Sequence, residues 1–281
     1  MVAPLLPRLA ALFSVPVETM GLVVPAYLIP YGMAGLVYGP LSDRFGRGRI
    51  IFSSLLLFTV LTALTAAASS PSTMLVLRLL TGLGASGVVP ITLALIGDLF
   101  PFQERGRPLG WLFGTIAGGM ACGSTAGVML EPFISWRGHF LGVAGLGAVL
   151  LVLLLPYRSL LRGTPRQHYP GYRQFLAGYW RLLGSGRGRR TYGYVLLNAV
   201  IHAGVYTWLG LYFTQRYGLG EIGIGLALLG YGVPGFLFGP LIGRVADRWG
   251  AAGWCPLAWR SPAPRLPPWP SICRCSPPPC S

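Results

Sequence analysis

Seven apolar runs set the pattern of the chain, at 19–41, 50–68, 74–100, 109–130, 140–156, 192–213 and 222–242, with polar residues gathered between them. Each is close to the roughly 20 residues that a helix needs to cross the hydrocarbon core of a bilayer. Lipid offers the backbone no hydrogen-bond partner, so a spanning segment must satisfy its own amides, as a helix does. The runs are rich in Gly and Ala and lack the alternation of a barrel strand. The pattern predicts an all-α membrane protein with seven transmembrane helices. One run carries a polar stripe: Tyr194, Asn198, His202 and Tyr206 are spaced by four and share a helix face, expected to line the bundle interior.

Arginine marks the sides. Segments 42–49, 101–108, 157–191 and the stretch just after 242 hold fifteen Arg, against Arg8, Arg137 and Arg216 on the opposite side. Positive residues collect in the cytoplasm, so these four segments are expected to face inward, in a cell (inner or plasma) membrane. Composition agrees: 53% of the 281 residues are apolar, only 10% are charged, and the mean hydropathy is +0.60. All the basic residues are Arg, which removes any lysine Schiff-base cofactor. The net charge of +15 sits where insertion rules place it, so nucleic acid is not an expected partner. No cofactor or metal is expected; the partners are the lipid bilayer, a small-molecule substrate and protons, and the chain reads as a monomer.

The two ends differ from the rest. Residues 1–18 are apolar but short, with two prolines and Arg8 among the first thirteen, and read as the tail of a first helix plus an outer loop. Residues 254–281 hold nine Pro and four of the five Cys with no acid, and the segment 251–281 reads as an out-of-frame or disordered tail of a GC-rich bacterial gene. Cys255, Cys273, Cys275 and Cys280 lack the paired spacing of a thiolate metal site, and Cys122 reads as a small packing residue.

An internal repeat is visible. Tyr31-Gly32-Met33-Ala34-Gly35-Leu36-Val37-Tyr38-Gly39-Pro40-Leu41 recurs 200 residues later as Tyr231-Gly232-Val233-Pro234-Gly235-Phe236-Leu237-Phe238-Gly239-Pro240-Leu241. Each copy is followed by an Asp-Arg pair, Asp43-Arg44 and Asp247-Arg248. Duplication explains this better than convergence of Gly-rich helices. The glycines at 232, 235 and 239, with Gly32, Gly35, Gly114, Gly118, Gly119 and Gly123 elsewhere, are expected to let helices approach closely.

At these residues the chain resembles the major facilitator superfamily. Gly39-x-x-x-Asp43-Arg44-x-Gly46-Arg47 looks like its signature loop, and Gly243-x-x-x-Asp247-Arg248-x-Gly250 like the weaker second copy. Arg78-x-x-x-Gly82-x-Gly84 resembles the fourth-helix motif, and Pro101-x-x-Glu104-Arg105-Gly106 the loop after it. The resemblance implies a transporter of two six-helix halves. On it the seven visible spans are family helices two to eight, so the bundle is incomplete: 19–156 is the N-terminal half bundle, 157–191 the cytoplasmic central linker and 192–250 the start of the C-terminal half.

Two groups of residues carry the expected chemistry. Asp43 can pair with Arg47 or Arg105, or face the N-terminal dipole of a neighbouring helix. With Gly39, Arg44, Gly46, Glu104, Arg105, Asp247 and Arg248 it forms an expected conformational latch; the plainer reading of Arg44, Arg47 and Arg49 is that they only set topology. Arg78, a turn inside its span, and the stripe Tyr194, Asn198, His202 and Tyr206 are the expected cavity residues for substrate or proton. The linker residues Phe175, Leu176, Tyr179, Trp180, Leu182 and Leu183, alternating with Arg173 and Arg181, suit a helix on the cytoplasmic surface, drawn to anionic lipid or serving as a tether.

The function expected is secondary active efflux of small organic molecules by alternating access, coupled to protons. Gly118-Gly119 stands where the family's exporters often have Gly-Pro, so uptake of a sugar or metabolite is the alternative. Two further alternatives are a transporter fragment without activity and an intramembrane serine protease built on Gly84-Ala85-Ser86-Gly87 and His202. The chain is otherwise not expected to be an enzyme.

Overall fold

The computed structural model describes residues 6–130, 133–158, 172–219 and 221–249 of the 281-residue chain, and among the described residues all regular structure is helical. The helices are α1 (Leu6–Leu12), α2 (Val17–Gly21), α3 (Val23–Phe45), α4 (Arg47–Thr65), α5 (Pro71–Ala85), α6 (Val88–Leu99), α7 (Gly106–Leu130), α8 (Trp136–Leu154), α9 (Tyr172–Gly184), α10 (Gly186–Tyr217) and α11 (Glu221–Trp249). The segment 251–281 and its cysteines lie outside the described residues, as does 159–171 of the linker.

Among the described residues, four stretches are long and apolar enough to cross a membrane by length and composition: Val17–Phe45, Arg47–Thr65, Pro71–Leu99 and Trp136–Leu154. They coincide with four of the seven runs. The other three runs fall on α7, α10 and α11, which have the length at 25, 32 and 29 residues.

Local chemistry sets the ends. Ser70 accepts a hydrogen bond from the Thr73 amide at 3.2 Å and Pro71 follows it, so α5 starts on a capped, pre-set turn. Between α3 and α4 the chain reverses on Gly46, whose φ of 93° is closed to side-chain-bearing residues. At the opposite end of α4, Arg137 donates to the carbonyls of Ala66 and Ala68 at 3.0 and 3.3 Å, satisfying helix-end acceptors. One of the few outer-side arginines is thus used as a C-cap.

In the first half, α3 packs on α5, and α4 on α5 and α8. A buried cluster of Leu9, Met20, Val23, Met74, Trp136 and Phe140 ties the short α1 and α2 to the outer ends of the long helices. A second cluster, Ile50, Ile51 and Ile91, lies where α4 meets α6. The seventh helix does not follow its half: α7 makes its extensive contact with α11. Side chains such as Leu146, Val152 and Leu153 on α8 are more than half exposed, the pattern of a lipid-facing surface.

Candidate functional site

The α7–α11 contact is built from glycine against glycine. The two helices run antiparallel, so Gly106 meets Gly243, Gly110 meets Gly239 and Gly114 meets Gly235 in register. A Cβ at Gly110 would strike the Gly239 carbonyl, one at Gly243 would strike the Gly106 carbonyl, and one at Gly232 would strike the Ala121 methyl. Gly118 lies against the Phe236 ring, and Trp111 meets the same ring edge-on with centroids 6.4 Å apart. Without side chains between them the backbones close to carbonyl contact, where dispersion and Cα–H···O contacts replace the hydrophobic drive that lipid lacks.

The end of this seam at the α7 N-terminus carries a charge. Asp247 accepts the Gly106 amide on Oδ1 at 2.7 Å and the Arg107 amide on Oδ2 at 2.9 Å. These are first-turn amides of α7, which have no acceptor inside the helix, and the carboxylate also faces the positive end of the helix dipole. Gly106 has to be glycine here, since a Cβ would meet both Asp247 and the Gly243 carbonyl. One residue of the repeated Asp-Arg pair thereby joins the two halves of the chain.

Its counterpart Asp43 is engaged differently. Arg47 reaches Asp43 at 3.5 Å, one turn away, and Asp98 at the end of α6 at 2.5 Å. Arg47 thus holds the α3–α4 turn against α6. The expected pairing of Asp43 with Arg105 is not the one seen: Arg105 donates to the carbonyls of Phe100 at 2.9 Å and Gly97 at 2.5 Å. Those acceptors lie a few residues away in the same chain segment, so reaching them orders less chain than reaching across to α3. Arg44, Glu104 and Arg248 are exposed. Both carboxylates of the Arg47 cluster are more than a third exposed or close to it, at 35% and 40%, so the cluster is a weak clamp. Replacing Asp98 by Asn is expected to lower stability by about 0.5 kcal/mol, a melting shift of a degree or two in detergent. A shift of ~8 °C would show that the cluster holds more of the fold than its exposure allows.

The cavity candidates separate. Arg78 is buried at 8% exposure, with its Cζ 4.5 Å from the centre of the Phe140 ring and 5.8 Å from that of Tyr27. Its Nε has no hydrogen-bond partner among the described residues. A guanidinium held by ring faces keeps its charge stabilised while a donor stays open. Tyr194 is 72% exposed and Asn198 is exposed as well, both on α10. His202 and Tyr206 lie on the same helix. Of the glycines expected to pack, Gly114 and Gly118 lie in the seam, a Cβ added at Gly35 would come 3.4 Å from Ser86 Oγ, and Gly123 is buried. No described atom lies within 4 Å of a Cβ built at Gly32, Gly39 or Gly119. Gly119 is one residue round from Gly118 and so faces away from α11. Ser86 is fully buried and donates to the Tyr31 carbonyl at 2.5 Å, a structural bond that occupies the hydroxyl a protease would need free.

Two contributors escaped the sequence reading. Asp98 is Arg47's nearest carboxylate, and the only signal for it was its place at a cytoplasmic span end in a chain of seven acids. The Asp247–α7 contact joins residues 140 apart, and nothing local marks that pairing.

Comparison with known proteins places this geometry. The family model described as Major Facilitator Superfamily matches residues 1–261. "Uncharacterized MFS-type transporter YwfA" of Bacillus subtilis (strain 168) is 27% identical over 256 residues, covering 89% of this chain and 60% of that protein. "Multidrug resistance protein 3" of the same organism is 32% identical over 137 residues, 48% of this chain and 26% of the relative. A "Putative metabolite transport protein" of Haemophilus influenzae is 27% identical over 247 residues, 82% of this chain and 58% of the relative. The chain thus matches between about a quarter and three-fifths of the length of these relatives.

Proposed function

Because the chain belongs to the major facilitator superfamily, we propose that it takes part in proton-coupled efflux of small organic molecules by alternating access, with the α7–α11 seam as the contact that closes the cytoplasmic side. The observation that carries this is the Asp247 carboxylate of the second half sitting on the α7 amides of the first half. Opening the cytoplasmic face requires those hydrogen bonds to break, so their free energy weights the resting state. The Arg47, Asp43 and Asp98 cluster adds a second, weaker restraint at the α3–α4 turn.

Arg78 is the residue proposed to meet the cargo or the coupling proton. It combines a fixed cation, a flat aromatic enclosure and one unpartnered donor, which suits a polar or anionic group on an otherwise apolar molecule. His202 in α10 is the other candidate for proton coupling, since it is the visible intramembrane group that titrates near neutral pH when unperturbed. Export is supported by the likeness to Multidrug resistance protein 3 of Bacillus subtilis. Import of a metabolite is the second reading, supported by the Haemophilus influenzae relative.

Ethidium transport in membrane vesicles of both orientations, with an imposed pH gradient, tests the proposal. Arg78→Gln is expected to lower the rate at least ~30-fold and Arg78→Lys about ten-fold, because lysine keeps the charge and loses the planar stack. Equal rates in Arg78→Gln and the parent would remove Arg78 from the path, and accumulation only in right-side-out vesicles would select import.

A further inference from the structure

We propose that α9 is a membrane-surface helix that binds the anionic phospholipid of the cytoplasmic leaflet. Along α9 the apolar residues Tyr179, Trp180, Leu182 and Leu183 fall on one continuous face, with Arg181 opposite. Tyr179 packs toward α10, where burial and the nearby Tyr192 push its phenol up. Among the described residues the other members of that face are exposed: Trp180 at 75%, Leu182 at 50% and Leu183 at 46%.

The join to α10 places that face at headgroup level. A single residue, Ser185, separates the two helices. Its amide donates to the Arg181 carbonyl at 3.0 Å, closing α9, and its Oγ accepts the Gly188 amide at 3.0 Å, capping α10. Gly188 approaches so closely that a Cβ there would strike the Leu182 carbonyl. A corner tied from both sides fixes α9 beside the mouth of a helix that enters the bilayer.

Charge decides the partner. From 132 to 220 the chain has no Asp or Glu, and 157–191 holds eight Arg, three of them at Arg187, Arg189 and Arg190 beside the corner. An amphipathic helix in so one-sided a field suits an anionic leaflet, with the aromatic and leucine side chains inserted and the guanidiniums on phosphates. This holds whatever the protein carries.

The test uses the full chain with its five cysteines replaced by serine and a single spin label at Leu183→Cys, in nanodiscs of phosphatidylcholine alone or with a third phosphatidylglycerol. The label is expected to be about five-fold less accessible to a water-soluble relaxant in the anionic discs, and the difference should shrink in molar salt. A second chain with Arg187→Gln, Arg189→Gln and Arg190→Gln should keep its helix content and lose most of that difference. Equal accessibility in both lipids would overturn the proposal, as would protection independent of lipid charge, which would place the face on protein.

Discussion

Replacing Gly110 by leucine is expected to separate α7 from α11 and bring transport to background. The side chain would have to enter a seam in which even a Cβ meets the Gly239 carbonyl, and a backbone carbonyl in a hydrogen-bonded helix has no rotamer to move to. Overpacking of this kind costs about 3 kcal/mol, and more where backbone meets backbone, so the closed population should fall at least ~100-fold. Trp111→Cys with Phe236→Cys, whose parent rings lie 6.4 Å apart, reports on it through a short bis-methanethiosulfonate cross-linker. Cross-linking should be near complete in the parent and nearly absent with Gly110→Leu. Gly119→Leu is the matched control, since that position is open, and it should cross-link as the parent does.

The second large effect is expected from Asp247→Asn. Asparagine keeps the shape and one acceptor, but it loses the charge that faces the α7 dipole and one of two amide hydrogen bonds. A charged cap of this kind is worth about 1–2 kcal/mol, so the open population should rise roughly five- to thirty-fold. The weight of the long-distance population between spin labels at Arg107→Cys and Arg248→Cys measures it. Asp43→Asn should change that weight less than about three-fold, because the Asp43–Arg47 pair is long at 3.5 Å and partly open to water. An equal response of the two would mean that the seam's cap has no special weight.

Much of this architecture was legible in the residues. The seven apolar runs fall on helices because lipid leaves the backbone few alternatives, and the repeat pointed to two related halves before any helix was placed. The glycine stripes on α7 and α11 were visible too, but their pairing was not. A small-residue face says that something approaches closely, and carries no address for what. The register came from the antiparallel fit of two whole stripes, Gly106 to Gly243 through Gly114 to Gly235.

Charges were harder to read. Asp43 and Asp247 stand at equivalent points of the repeat, yet one shares an arginine and the other caps a helix. Sequence places both at the cytoplasmic surface and stops there, because which donor is nearest depends on how the helices lean. Arg105 shows the same limit in the other direction: a carboxylate across the bundle lost to two carbonyls of its own segment. The stripe on α10 was read by periodicity, which finds a shared face and not its neighbours; Tyr194 and Asn198 are exposed. Arg78 was singled out by its depth alone, and the rings of Tyr27 and Phe140 supply the reason that it is tolerated there.

The central claim is that Asp247 on the α7 amides holds the adjoining ends of α7 and α11 together. Spin labels at the exposed Arg107→Cys and Arg248→Cys flank that contact, and pulsed dipolar spectroscopy on the reconstituted chain measures their separation directly. A narrow short-distance population that gives way to a longer one on adding Asp247→Asn is the result predicted. A distribution unchanged by Asp247→Asn would contradict it.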